Sequence, residues 1–266
     1  VNPFKALAEM NVLGILVGAI LFGLGLALTI KEDSPINQIF SDLAQASYRI
    51  AGWVLTTLPL GLFAISYQLA GQIDFSTVTA LAQLAGVVFA ATLFHGLVVL
   101  PFIAWWAAGL SPWKFFAAVS QPLVTALSTS SSAATLPLSM ATAESKLGVD
   151  RAKCAFVLPL GATANMDGTA LFEGIAAVFL AYMFGIDLST TGIIAIFLVA
   201  MLSSVGAPGI PSGSMAGMQM VMLAVGIPLE AIGLLLLIER PLDTFRTAVN
   251  VEGDLVGCLV AKRFTQ

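Results

Sequence analysis

Long apolar stretches separated by short polar punctuation make up the chain. Runs without Asp, Glu, Lys or Arg extend from Met10 to Ile30, Ile50 to Ile73, Phe115 to Ala143 and Leu188 to Leu229. Each reaches or exceeds the ~20 residues that cross a bilayer as a helix. Hydrocarbon offers no water to satisfy the backbone, so these crossings are predicted to be helical. The pattern therefore predicts an all-α, multi-pass membrane protein.

A first span covers about residues 8 to 30 and ends at "KEDSPINQ"; a second covers about 39 to 73, interrupted near Pro59. A third, about 77 to 107, carries Pro101 and closes on Trp105 and Trp106, which with Trp113 read as headgroup anchors. The next stretch, "FFAAVSQPLVTALSTSSSAATLPLSMATAESK", would measure about 45 Å as one helix, more than the hydrocarbon core. Its middle holds five consecutive hydroxyl residues, Ser128 to Ser132. Two half-length helices meeting at a serine tip explain it better, giving a re-entrant hairpin over about 112 to 148. The stretch from about 188 to 229 repeats the device around "SSVGAPGIPSGS", whose glycines and prolines break any helix.

After each hairpin comes a helix with a polar interruption. "NMDGT" lies at 165 to 169 in a helix of about 150 to 186, and "RTAVNVEGD" at 246 to 254 in a last helix of about 230 to 263. If a hairpin returns to its own side and the next helix crosses, then Lys114, Lys146, Arg151, Lys153, Lys262 and Arg263 share one side, opposite Asp187 and Glu230. The first hairpin is then expected to enter from the cytoplasm and the second from outside. Inverted repeats with broken helices are the signature of secondary transporters.

Composition narrows the picture. The chain is 58% hydrophobic and only 10% charged, against about a quarter charged in soluble domains. A net charge of −4 without a basic stripe argues against a nucleic-acid partner. Cys154 and Cys258 suit neither a disulfide framework nor a zinc site. The chain opens at Val1 without a signal-peptide pattern and is expected to be a truncated product.

The charges that remain are concentrated in the last helix. At ~100° per residue, Glu239, Arg246, Asn250 and Asp254 fall within about 60° of Asp243. Asp243 and Arg246 could form an ion pair that only fixes packing, but Asn250 and Asp254 extend the stripe beyond one pair, which favours a ligand. Arg246 offers a planar fork for a carboxylate, and Asp243, one turn away, suits an ammonium group. Together they fit an acidic amino acid. In "GATANMDGTALFEG", Asn165 and Asp167 supply oxygens, Thr163 and Thr169 supply hydroxyls, and Gly161 and Gly168 permit unwound backbone. Facing Asn250 and Asp254, this set fits a hard cation such as sodium. The serine tip, Ser130 to Ser132, lacks hydrolase partners, since the only histidine, His95, lies far along the chain and reads as a hydrogen-bonded packing residue. No enzyme is expected; tip hydroxyls and amides suit the ligand's main-chain carboxylate.

"STSSSAATLP", "NMDGT", "GIPSGS" and "DTFRTAVNVEGD", in this order, resemble the dicarboxylate/amino acid:cation symporter family, which includes the glutamate transporters. The resemblance covers roughly residues 8 to 263. It implies an inverted-repeat transporter with two re-entrant hairpins and two interrupted helices, a homotrimer in the cytoplasmic (inner) membrane, and an elevator-type transport domain. Residues 1 to 76 would be part of the scaffold and 77 to 266 the transport domain. Family members begin with about three further membrane segments, so the scaffold is expected to be incomplete.

For the ligand, the resemblance implies Arg246 at the side-chain carboxylate, Asp243 at the amino group, Asn250 at the main-chain carboxylate, Thr169 assisting and Thr247 in the same pocket. Ser131, Ser132, Pro211 and Gly213 would close it from the two tips. It implies one sodium site at Gly161, Asn165, Asn250 and Asp254, and another at Thr163 with the backbone of Ser203, Ser204, Val205 and Ala207. Met166 would lie between them, and Asp167 with Thr169 would belong to a third. Glu239 stands where sodium-coupled relatives often carry aspartate, and Pro208 departs from the usual hairpin tip. The expected function is sodium-coupled symport of aspartate or glutamate. The alternative is a sodium- or proton-coupled C4-dicarboxylate symporter; a channel or scaffold is a third class.

Overall fold

The computed structural model describes every residue except 1, 9–11, 32, 58, 59, 62, 65, 66, 68–73, 206, 208, 210, 265 and 266. All elements among the described residues are helical. The chain divides into two compact units, residues 1–74 and 75–266.

In the first unit, α1 (Pro3–Ala8) precedes α2 (Val12–Thr29), apolar throughout, and α3 (Pro35–Thr56), which opens on a proline at its first position. The Phe22 and Phe40 rings meet edge to face, their centroids 6.0 Å apart. The expected interruption at Pro59 lies outside the described residues.

The second unit begins with α4 (Phe75–Phe94), which passes through a π-helical segment (His95–Val99) into α5 (Leu100–Ala108). The wide turn sits directly before Pro101, whose ring in a regular helix would clash with the carbonyl four residues earlier. Next come α6 (Pro112–Thr129) and α7 (Ser132–Ser145), which pack against each other. Ser130, at φ +49°, ends α6 in the left-handed region; Ser131 is extended and caps α7 by accepting from the Ala134 N–H. The pair α10 (Thr190–Val205) and α11 (Ser214–Val225) packs in the same way, with a second left-handed non-glycine, Ser212 at φ +61°, in its connection.

Between the pairs run α8 (Arg151–Ala164) and α9 (Asp167–Met183), separated by two non-helical residues, Asn165 and Met166. This is the break expected at "NMDGT". The matching interruption expected in the last helix does not occur. After a 3₁₀ turn (Leu229–Ala231), α12 runs unbroken from Ile232 to Phe264 through "RTAVNVEGD". Spacing explains the difference. Asp243, Arg246, Asn250 and Asp254 recur every three or four residues and share one face of an intact helix, whereas Asn165, Asp167 and Thr169 are two apart and cannot.

Two apolar cores flank α12. One joins Leu84 and Val88 of α4 with Phe172, Leu180, Met218 and Met222; the other joins Leu100 and Ala104 of α5 with Phe115, Val119, Leu158, Leu255 and Leu259. The runs Phe75–Ala108 and Arg151–Met183 are long and apolar enough to cross a bilayer. Phe75, Phe94, Phe102, Trp105 and Phe156 are exposed, an outer surface of the kind lipid covers.

Candidate functional site

The tips of the two helix pairs meet over the polar stripe of α12. Ser131 Oγ donates to the Gly209 carbonyl at 2.8 Å, and the Ala133 N–H donates to the same oxygen at 3.2 Å. Ser130 Oγ lies 3.1 Å from Thr244 Oγ1. From the other tip, the Ser212 N–H donates to Asp243 Oδ2 and its hydroxyl to Glu239 Oε2, both at 3.0 Å.

Arg246 is 1% exposed. Its Nη2 donates to Glu239 Oε1 at 3.2 Å, Asp243 Oδ1 at 3.3 Å and Ser214 Oγ at 3.2 Å, and its Cζ lies 3.9 Å from the Phe172 ring centroid. Its Nε and Nη1 are buried with no partner. A buried guanidinium is normally saturated; here one nitrogen carries every bond and the other two, with three N–H groups between them, remain open. A small, partly open pocket lined by its partners Asp243 and Ser214, with Ser130, Ser132, Thr169, Thr247 and Asn250 among others, has a volume of about 10 Å³. That is room for about one water.

One turn further along, α12 meets the break between α8 and α9. Asn250 Oδ1 accepts from the Gly168 N–H at 2.8 Å, and its Nδ2 donates to Met166 Sδ and Thr169 Oγ1, both at 3.3 Å. Asn165 Nδ2 donates to Asp254 Oδ1 at 3.1 Å. Glycines make this approach close. A Cβ on Gly168 would stand 2.8 Å from the Arg246 carbonyl oxygen, and one on Gly161 would collide with the Asp254 carboxylate.

A carboxylate, two amides, a thioether and a hydroxyl around an unwound turn form an oxygen-rich set suited to a hard monovalent cation. The model of the sodium:dicarboxylate symporter family matches residues 1–264. The chain belongs to this family.

Among its relatives is a Caenorhabditis elegans protein named, by inference, a sodium-dependent excitatory amino acid transporter, 38% identical over 99% of this chain and 54% of its own length. Mouse excitatory amino acid transporter 3 is 36% identical over 97% of this chain and 49% of its own length; for mouse excitatory amino acid transporter 1 the values are 36%, 97% and 48%. The chain spans about half the length of the curated relatives it matches. The family is one of membrane transporters, not enzymes.

Within this chain the predicted residues do not all converge. Asp243, Thr247, Asn250, Thr169, Ser132 and Gly213 line this pocket; Arg246 is outside the lining and bonded to Asp243. Ser131 is used in joining the tips, and Pro211 is half-buried outside the lining. Gly161, Asn165 and Asp254 gather as a group. Thr163 stands apart: it is exposed, and its hydroxyl donates to Leu160 and Pro159 of its own helix. The Ser203 hydroxyl is bound to buried Glu173 and that of Ser204 to the Met201 carbonyl, while Val205 is exposed and Ala207 lines the cavity. Both Asp167 oxygens are engaged, Oδ2 by His95 Nε2 at 2.7 Å and Oδ1 by the Gly168 N–H at 2.9 Å. Pro208 lies outside the described residues.

Ser212, Ser214 and Phe172 were not legible as site residues. Ser212 and Ser214 sit in a run of small residues that reads as a helix breaker, and Phe172 reads as core. Only the proximity of "PSGS" to a buried arginine distinguishes them, and that appears in three dimensions alone.

Proposed function

We propose that the chain carries the substrate and cation sites of a sodium-coupled symporter for aspartate or glutamate. The observation that carries this reading is the buried Arg246 guanidinium, with Nε and Nη1 unpaired beside Asp243. The open donors receive the side-chain carboxylate, Asp243 the ammonium group, and Asn250 with the serine tip the main-chain carboxylate. A ligand with only carboxylates would bring further negative charge to Asp243, already paired with Arg246 and Arg240, and no ammonium group for it to hold. An amino acid cannot enter a cavity that admits one water, so the Ser212 tip must move off Asp243 and Glu239 as it binds.

Sodium occupies the group of Gly161, Asn165, Asn250 and Asp254, with Met166 and Thr169 joining it to the ligand. Since Asn250 belongs to both, each binder tightens the other by the same factor. The two helix pairs act as re-entrant hairpins, residues 77–266 as a transport domain moving by an elevator mechanism, and residues 1–76 as part of the scaffold. The assembly is a homotrimer in the cytoplasmic membrane.

Calorimetric titration of the purified chain with aspartate, in sodium and then in choline, with succinate as control, tests the reading. Saturable aspartate binding only in sodium is expected. Succinate binding in its place overturns the amino acid assignment in favour of a dicarboxylate.

A further inference from the structure

A second buried carboxylate on α12 lies outside this site. Glu252 is 3% exposed, its Oε1 has no hydrogen-bond partner, and no ion pair joins it to a cationic side chain among the described residues. The π segment faces it. A Cβ on Gly96 would stand 3.2 Å from Glu252 Oε2 and 2.9 Å from Val249 Cγ2, so the bare glycine is what lets the carboxylate approach. Four residues before Gly96, Thr92 is 1% exposed and its hydroxyl also lacks a partner. Other helical threonines here, Thr79, Thr125 and Thr129, turn their hydroxyls back to carbonyls of their own helices. Thr92 makes no such bond.

A carboxyl group in this position is neutralised by a proton or by a cation. No cationic side chain supplies the charge: His95 is bound to Asp167, itself a carboxylate. We propose that Glu252 and Thr92 form a separate site for a partly dehydrated monovalent metal cation, sodium or potassium. Hard oxygen donors with a single formal charge suit such an ion. No group of three His, Cys, Asp or Glu side chains able to hold a metal occurs among the described residues, which disfavours a divalent or transition metal. π turns recur at functional positions in helices, and this one brings Gly96 to Glu252.

This inference does not depend on the amino acid reading. It is tested by thermal unfolding of the full chain in sodium, potassium and choline chloride at equal ionic strength, without amino acid. Wild type is compared with Asp254→Asn, Glu252→Gln and the double variant. Asp254→Asn is expected to keep a rise in Tm specific to one of the two metal ions, identifying it. Adding Glu252→Gln should raise the half-saturating cation concentration by about tenfold or more, as expected for a lost charged ligand. Thr92→Val in the Asp254→Asn background should weaken the cation response too, and it decides the matter if Glu252→Gln does not fold. An identical cation response with and without Glu252, or no response in Asp254→Asn, overturns the site.

Discussion

The helices carrying "NMDGT" and "RTAVNVEGD" begin from the same kind of sequence signal and end in different structures. In the first, the backbone opens at Asn165 and Met166, and the Gly168 N–H serves Asn250 directly. In the second, the helix stays closed for 33 residues and only side chains reach inward. A run of polar residues in an apolar span marks where polar groups are needed; spacing decides whether backbone or side chains supply them. The two halves are complementary, since the closed helix holds polar side chains in a row while the open one brings amide donors to them.

The comparison is broken most severely by removing the arginine. Arg246→Cys is expected to abolish aspartate binding, a loss of at least about 100-fold for a buried charged partner, read by calorimetry in sodium; unchanged affinity would end the ligand assignment. Gly168→Ala should come next, because its Cβ meets the Arg246 carbonyl, backbone that cannot swing aside. Overpacking of this kind costs about 1–3 kcal/mol, visible as a lower Tm in every salt. Asp254→Asn should weaken sodium activation of aspartate binding by about tenfold while affinity at saturating sodium recovers; equal losses at all sodium concentrations would remove Asp254 from the cation site. The smallest effect belongs to Ser212→Gly, which keeps the left-handed backbone but loses the hydroxyl to Glu239. If that bond must break on binding, aspartate affinity rises a few-fold, and a fall would mean that the hydroxyl contacts the ligand.

Much of this was legible from order and periodicity. The two helix pairs, the break at 165–166 and the polar stripe of α12 follow from runs, breakers and a 3.6-residue period. The unbroken last helix was not foreseen, because sequence symmetry suggested structural symmetry where residue spacing dictated otherwise. Pairwise choices were also hidden: Ser203 turns to Glu173 and Thr163 to its own helix, selections among equivalent hydroxyls that composition cannot make. His95 read as a hydrogen-bonded residue, and its partner, Asp167, lies 72 positions away.

The π segment at 95–99 has a further consequence, one of phase. Ahead of it, Leu84 and Val88 serve the core built with α9 and α11; behind it, Leu100 and Ala104 serve the core built with α6 and α8. One surplus residue turns everything downstream by about 100°. A single rod thus meshes with two interiors of different pitch, and deleting one residue there would leave its length nearly intact while putting its second half out of step.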